Sequence, residues 1–231
     1  MSRIDDRIRG DYMFLRIDRR LKEKFPGINA LILTVRGVSV ENTLPELERF
    51  KEDVVERVKS RWTLDQLREH PGFRAYRDFF WRVGVDPTKT RPAAEALIRR
   101  VLRGSPLPII NTLVDAYNLA SIETAIPLAA FDVDGLAGEL IMREASAGEE
   151  FLGIGMDKPA VLLGGEAVVK DGEKLIAIYP HRDAEACKIT STTKNALFLV
   201  CGVPNIDIED LIRAGRVAAD YVTRFCGGSE V

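Results

Sequence analysis

RPAAEALIRRVLRGSPLPIINTLVDAYNLASIETAIPLAAFD (residues 91–132) contains two helix patterns around which the rest of the chain is organised. The first carries apolar residues at the period of a helix and ends at Gly104. A second helix begins near Asn111, and Asn111, Asp115 and Asn118 then fall at i, i+4 and i+7, which places them on one face. That face either caps the helix and binds backbone and water, or it lines a binding site. The residues alone leave both interpretations open.

Composition indicates a globular protein of one large or two small domains. The chain has 231 residues, of which 46% are hydrophobic and 29% charged, in the range of ordinary soluble proteins. No apolar run approaches the roughly 20 residues that a membrane helix needs. The first six residues lack the apolar segment of a signal peptide. The sequence therefore predicts a cytoplasmic protein without a membrane partner.

Cysteine and histidine usage limits the possible chemistry. The chain has three widely spaced cysteines, Cys187, Cys201 and Cys226, and two isolated histidines, His70 and His181. Their spacing is not that of zinc ligands. A catalytic triad would have to use one of the two histidines as its base. The glycine pairs are too short for a phosphate-cradling loop. We therefore expect no metal and no other cofactor.

The order of the predicted elements indicates an α+β fold. Ile28–Arg36 reads as a buried strand, and two helices precede the aromatic helix Phe73–Val83. After Ile126 the chain turns to strands, with a hairpin signal at Asp171-Gly172. A closing helix covers Ile208–Phe225. Because helices and strands are segregated along the chain, the helices should cover a strand-rich core.

Charge is unevenly distributed along the chain. Residues 1–103 carry 23 Lys and Arg against 16 Asp and Glu, whereas residues 104–231 carry 10 against 19. A basic face interleaved with aromatic rings can bind an RNA backbone, and its candidate contacts are Arg91, Arg99, Arg100 and Arg103. The alternative is that the rings belong to the core and the arginines face solvent.

Five phrases in order resemble a known family: RPAAEALIRR, INTLVDAYNLASIETAIPLAAFD, GEEFLGIG, the Gly165-Glu166 pair and HRDAEACKITSTTKNALF. They are similar to the B3/B4 domain of the phenylalanyl-tRNA synthetase β subunit, and most similar to the free-standing B3/B4 proteins. The resemblance implies one B3/B4-like domain over residues 1–231, with residues 73–231 as its core and residues 1–72 packed on it.

The resemblance also implies a pocket in the strand-rich half, which in the synthetase hydrolyses tyrosine from mischarged tRNA. This chain is too short to be a complete synthetase. His181-Arg182-Asp183 could be a substrate clamp or a solvated loop. The candidate substrate-binding residues are all polar: Asn111, Asp115, Asn118, Glu123, Glu166, His181, Arg182, Asp183, Lys188 and Thr190.

Two positions depart from the synthetase pattern. Ala129 stands where bacterial β subunits usually have histidine, and Leu199 stands where an acidic residue recognises the tyrosine hydroxyl. A leucine cannot accept a hydrogen bond from a phenol, so the resemblance does not imply tyrosine selectivity. Three hypotheses follow: an aminoacyl-tRNA deacylase acting in trans, a non-catalytic module that binds RNA or a free amino acid, and a protein-interaction domain. Whether the chain is an enzyme stays open.

Overall fold

The computed structural model describes residues 7–8 and 12–231. Its helices are α1 (Arg19–Lys24), α2 (Pro45–Arg61), α3 (Leu64–Glu69), α4 (Pro71–Arg82), α5 (Ala93–Leu102), α6 (Thr112–Thr124) and α7 (Ile208–Cys226). Its strands are β1 (Arg7–Ile8), β2 (Tyr12–Phe14), β3 (Arg16–Ile17), β4 (Ala30–Arg36), β5 (Leu128–Asp132), β6 (Ile141–Glu144), β7 (Glu150–Phe151), β8 (Ala160–Val161), β9 (Ala167–Lys170), β10 (Leu175–Ile178), β11 (Arg182–Asp183), β12 (Asn195–Cys201) and β13 (Ser229–Glu230).

The first sheet has the order β1-β2-β4-β12-β5, with β13 also paired to β4. β12 lies between β4 and β5 and is antiparallel to both, with Leu199 opposite Ile32 on one side and Ala129 on the other. β4 is the strand predicted at Ile28–Arg36, and most of its residues are buried. Its apolar, β-branched composition suits an interior strand.

The second sheet has the order β11-β10-β9-β6-β3. The hairpin predicted at Asp171-Gly172 is confirmed, because β9 and β10 pair antiparallel around that turn. The Asp171 carboxylate accepts hydrogen bonds from the backbone N–H groups of Glu173 and Lys174, at 2.8 and 2.7 Å. An Asp that satisfies the backbone of its own turn is a common reason for its use there.

The helices cover the first sheet in two layers. α7 packs on β4 and β12, α6 packs on α7 and β5, and α2 and α5 pack on α6. The buried side chains form a hydrophobic core that takes residues from helices and strands alike. The predicted α+β class is confirmed. Sequence reasoning missed the two-residue strands β7, β11 and β13, which are too short to show a periodicity.

The two sheets meet near the end of β12. The Tyr179 hydroxyl, just beyond β10, donates to the Gly202 carbonyl at 2.6 Å, and the Tyr76 hydroxyl of α4 donates to the Cys201 carbonyl at 2.6 Å. Strands from the first 36 residues enter both sheets, since β4 pairs with β12 and β3 with β6. The prediction that residues 1–231 form one domain stays a prediction. Because early strands pair in both sheets, removing the first part of the chain tests it directly.

Within the described residues, no helix is both long and apolar enough to cross a membrane. The prediction that no signal peptide begins the chain concerns residues 1–6, which lie outside the described residues.

Candidate functional site

A cavity of about 160 Å³, here called the inner cavity, lies where the two sheets, α6 and the start of α5 meet. Strand pairing explains much of its wall. Leu199 lies opposite Ala129 in the first sheet, and Asp183 lies opposite Ala177 in the second, so each pair turns to the same side. The lining residues are Arg91, Ala93, Tyr117, Asn118, Leu128, Ala129, Ala177, Tyr179, Pro180, His181, Asp183, Leu199 and Cys201.

Asp183 is the acidic group of the inner cavity. Its backbone is fixed, because its carbonyl accepts from the Ile154 N–H at 2.9 Å. Its carboxylate makes no hydrogen bond and no ion pair within the described part of the chain. Burial raises the pKa of Asp183 to about 7, against the opposing effect of the neighbouring Arg182 guanidinium. The carboxyl therefore titrates near neutrality when no cation lies beside it.

His181 lies at the wall between the inner cavity and a second one. Burial, with a smaller effect of the Arg182 charge, lowers the pKa of His181 to about 4, so the imidazole is neutral at pH 7. Its ring packs against Phe80, with centroids 5.8 Å apart. Nδ1 is buried and has no hydrogen-bond partner among the described residues. Arg182 itself is exposed, and its guanidinium donates to the Ile154 carbonyl at 3.3 Å.

α6 contributes Tyr117 and Asn118 to the inner cavity. Burial raises the pKa of Tyr117, so its hydroxyl stays protonated and can donate a hydrogen bond. Its ring lies 6.1 Å from the ring of Phe198. The Asn118 amide is partly buried and has no hydrogen-bond partner in the described residues. Both side chains are thus available to a ligand.

Asn111 and Asp115 are occupied elsewhere. Asn111 caps α6, and its side-chain oxygen accepts from the Val114 N–H at 2.9 Å. The Asp115 carboxylate, whose side chain is 1% exposed, accepts from Lys51 Nζ at 2.7 Å and from the Ile110 N–H at 3.1 Å. Burial raises the pKa of Asp115, and the Lys51 charge opposes that effect. Neither residue lines the inner cavity.

Glu166 lines a neighbouring cavity of about 440 Å³, here called the outer cavity, which shares Tyr179 and His181 with the inner one. One carboxylate oxygen accepts from the Leu163 N–H at 2.8 Å, and the other is buried without a hydrogen-bond partner. Sequence reasoning placed Asn111, Asp115, Asn118 and Glu166 around one cavity, and that placement is wrong. Helical spacing put Asp115 on the correct face of α6, but Lys51 of α2 covers it.

Three further candidates lie outside both cavities. Glu123 accepts from Arg57 at 2.9 Å and from the Tyr221 hydroxyl at 3.2 Å. Lys188 pairs with the nearby Glu185. Thr190 shares hydrogen bonds with Thr192 and Thr193 in a turn. Lys188 and Thr190 have partners within their own turns, whereas Glu123 joins α6 to α2 and α7. A role of these residues in binding stays a prediction.

The basic face has a defined centre. Glu95 is fully buried and binds Arg77 at 3.0 Å and Arg99 at 2.8 Å, with Arg91 at 3.8 Å. These three arginines line an open surface depression of about 420 Å³, together with Arg68, Glu69, Arg74, Asp78, Trp81, Pro87 and Thr88. We call it the basic depression. Three arginines around one buried carboxylate are held in place and keep an excess of positive charge.

Aromatic rings are divided between core and surface. Phe73, Tyr76, Phe79 and Phe80 are buried, as the alternative interpretation expected, whereas Trp81 is 57% exposed at the rim of the basic depression. Arg100 donates to the Pro106 carbonyl and Arg103 ends α5, and neither lines the depression. Arg91 lines both the basic depression and the inner cavity.

Sequence reasoning named neither Tyr117 nor Arg68, and its list of candidate RNA contacts left out Arg74 and Arg77. Nothing in the spacing of Tyr117 distinguishes a cavity wall from core packing. The arginines lie in a basic segment, but spacing alone does not show which of them share a surface. The excess of arginine over acid at residues 68–103 was the available signal for them.

Comparisons with known proteins agree on one family. Residues 75–230 match the B3/4 domain family. The chain is 38% identical over 131 residues to the phenylalanine–tRNA ligase beta subunit of Fusobacterium nucleatum, which covers 56% of this chain and 16% of that protein. It is 36% identical over 108 residues to the beta subunit of Geobacter metallireducens, covering 46% of this chain and 13% of that protein. The chain thus spans a small part of these relatives.

A solved structure shares the fold. An N-terminal fragment of the phenylalanyl-tRNA synthetase beta subunit from Pyrococcus horikoshii superposes with a TM-score of 0.50 at 13% identity. The match covers 94% of this chain and 49% of that chain. At this identity the likeness concerns the fold alone.

Proposed function

Because the chain belongs to the B3/4 domain family, we propose that it is a cytoplasmic, tRNA-associated protein that binds the aminoacyl end of a charged tRNA and hydrolyses its ester in trans. The observation that carries the proposal is the position of Arg91, which lines both the basic depression and the inner cavity. The end of an RNA strand that binds in the depression can therefore reach the inner cavity.

The basic depression supplies the RNA contact. Arg68 and Arg74 are exposed and, in the part of the chain that the structure describes, each forms an ion pair with the exposed Glu69 alone; such surface pairs are weak. They can therefore exchange Glu69 for a phosphate. Trp81 offers an exposed ring on which an unpaired base can stack. Arg77 and Arg99 are held by Glu95 and contribute charge from fixed positions.

The inner cavity supplies donors for ester hydrolysis. An aminoacyl ester is activated, so a positioned water and hydrogen bonds to the developing oxyanion suffice. The water oxygen bonds to the carbonyl carbon, the bond to the ribose oxygen breaks, and the water proton ends on that oxygen. The Tyr117 hydroxyl and the Asn118 amide, which form no hydrogen bond with any described residue, are the groups that can orient the carbonyl and the water.

The wall indicates the kind of amino acid. Leu128, Ala129, Ala177 and Leu199 form the apolar part, and the volume is about 160 Å³. None of these four side chains can accept a hydrogen bond from a phenol. We therefore expect the bound amino acid to have a modest apolar side chain. Selection for tyrosine would need a group in this wall that binds its hydroxyl, because pockets discriminate most strongly through such hydrogen bonds.

The test is a deacylation screen of the purified protein against a panel of aminoacyl-tRNAs. The proposal expects hydrolysis of one or a few tRNAs charged with small apolar amino acids, and little action on tyrosyl-tRNA. Asn118→Ala should remove that activity, while Asp157→Asn, on an exposed loop outside both cavities, should keep it. A panel in which every ester survives would contradict the catalytic proposal.

One observation favours a second candidate, a module that binds the aminoacyl end without hydrolysing it. His181 is neutral but has a pKa of only about 4, which makes it a weak general base at pH 7. In that case the protein binds a charged tRNA more tightly than the uncharged one and leaves the ester intact. The same screen, run with a binding measurement, separates the two.

A further inference from the structure

We propose that Asp183 binds the protonated α-amino group of the ligand in the inner cavity, so that the site accepts aminoacyl groups with a free amine and rejects N-blocked ones. This inference rests on the proposed function for the class of ligand. It adds the group by which that ligand is recognised and the direction in which it lies.

The first argument is the lack of an internal partner. Carboxylates withdrawn from water are normally paired, as with Asp115, which is bound by Lys51, and Asp171, which is bound by Lys174 at 2.8 Å. The Asp183 carboxylate faces a small cavity and has no hydrogen-bond donor and no ion-pair partner within the described residues. A polar group kept unpaired in such a place is costly to the fold unless a ligand completes it.

The second argument is the charge of the surroundings. On its own strand Asp183 follows Arg182, whose guanidinium is turned to the Ile154 carbonyl at 3.3 Å. His181, from the same segment, is neutral at pH 7. Tyr117 and Cys201 line the same cavity, and burial raises the pKa values of their hydroxyl and thiol groups. Burial also raises the pKa of the Cys187 thiol, to about 12. These groups stay uncharged, and within the described residues neither Arg182 nor Arg91 forms an ion pair with the Asp183 carboxylate, although Arg182 acts on it from a distance.

The third argument is the direction set by Arg91. This cation lies at the start of α5, on the side of the inner cavity that adjoins the basic depression. Asp183 lies on β11, within the second sheet. A ligand with its amine at Asp183 would therefore place its ester and ribose toward Arg91 and the RNA. The two charges fix one orientation of a chain-terminal aminoacyl group and disfavour the reverse.

The arrangement predicts a pH dependence. An ammonium group is bound by the ionised form of Asp183, which is partly protonated in the empty site at pH 6. Affinity should therefore rise between pH 5.5 and 7.5, and binding at pH 6 should release a proton. His181 stays neutral throughout this range, so its imidazole does not produce the same profile.

The test uses non-hydrolysable probes, the L-alanyl and L-valyl amides of 3′-amino-3′-deoxyadenosine, and their N-acetyl derivatives. We expect acetylation to weaken binding to the wild-type protein by about tenfold to hundredfold, as loss of a charged hydrogen bond does. Asp183→Asn should bind the free-amine probe as weakly as the acetylated one and lose the pH dependence. Asp157→Asn, an exposed control, should behave as wild type.

The outcomes separate the two proposals. Equal binding of free-amine and acetylated probes to the wild-type protein overturns the role of Asp183 and leaves the proposed function standing. Failure of all four probes and of aminoacyl-tRNA to bind overturns both. Thermal unfolding of Asp183→Asn shows whether a weak signal reflects lost recognition or a lost fold, and a conservative Asp183→Glu variant that regains the amine preference supports recognition.

Discussion

Asp115 on α6 is buried and Asp183 on β11 is partly buried, and within the described residues the Asp115 carboxylate has partners whereas the Asp183 carboxylate has none. Asp115 accepts from Lys51 at 2.7 Å and from the Ile110 N–H at 3.1 Å. The Asp183 carboxylate lines the inner cavity and accepts no hydrogen bond from the part of the chain that the structure describes. The comparison teaches that a polar side chain near a cavity is a candidate for ligand binding where the fold leaves it without a partner. The Asp115 carboxylate is bound within the fold, whereas the Asp183 carboxylate stays available to the ligand that we propose.

Removing residues 1–72 should have the largest effect on stability, because these residues supply the partner of Asp115 and a central strand of the first sheet. The fragment 73–231 loses β4, which pairs with β12 along seven residues, and it loses Lys51, which leaves Asp115 buried and unpaired. We expect no cooperative unfolding transition by circular dichroism. Co-expression with residues 1–72 as a separate chain should restore it. A fragment that unfolds cooperatively on its own would contradict a single domain over residues 1–231.

Asp115→Ala tests at a single residue whether the buried ion pair with Lys51 stabilises the fold. Removing the buried carboxylate leaves the Lys51 side chain with the partly exposed Glu48 as its remaining partner, so the free energy of unfolding should fall by about 3 kcal/mol. Glu48→Ala is the matched control, because Glu48 binds the same Lys51 at 2.8 Å but is partly exposed, and it should cost about 1 kcal/mol or less. Urea denaturation measures both. Equal effects of the two changes would show that the Asp115 pair is not special.

Asp183→Asn should raise the free energy of unfolding, the opposite of the effect of Asp115→Ala. The pKa of Asp183 is about 7 in the folded protein and near 3.8 when unfolded, so the folded state binds more protons between these values. Wild-type stability therefore falls as pH rises from 4 to 7, and the asparagine variant is free of this loss. At pH 8 we expect the variant to be more stable by on the order of 1 kcal/mol. A variant that is less stable at pH 8 would mean that Asp183 supports the fold.

The basic depression extends the comparison to arginines. Arg68→Ala with Arg74→Ala should weaken binding of every RNA sequence and reduce the slope of log affinity against log salt by about 1–2, as loss of phosphate contacts does. Arg100→Ala with Arg103→Ala is the control, because neither residue lines the depression. Fluorescence anisotropy at several salt concentrations measures the slope. The reverse ranking would move the RNA-binding face to the end of α5, where sequence reasoning placed Arg99, Arg100 and Arg103.

Much of the fold could be predicted from local signals. β4 is mostly apolar, Asp18 caps α1 by accepting from the Arg20 N–H at 2.9 Å, and Thr63 caps α3 with Gln66. These features depend on residues close in sequence, so composition and spacing reveal them. The register of the two sheets depends on contacts between residues far apart, which a single sequence does not show.

The candidate site was harder to predict, because its decisive feature is which polar groups lack partners. Spacing placed Asn111, Asp115 and Asn118 on one face of α6, but the partner that occupies Asp115 comes from α2, 64 residues earlier. Nothing local distinguishes Asp115 from Asn118. His181 and Asp183 were found from their clustering in one loop, while their partial burial depends on residues far away in sequence, such as Phe80 against His181 and Tyr117 across the cavity from Asp183.

The most direct test of the central claim compares the affinity of the protein for charged and uncharged forms of the same tRNA. The charged form carries alanine or valine through a 3′-amide, so that hydrolysis cannot interfere. If the inner cavity holds the aminoacyl group, the charged tRNA binds more tightly, and Asn118→Ala and Asp183→Asn each reduce that difference without changing the affinity for uncharged tRNA. Equal affinity of the wild-type protein for the two forms would contradict the claim.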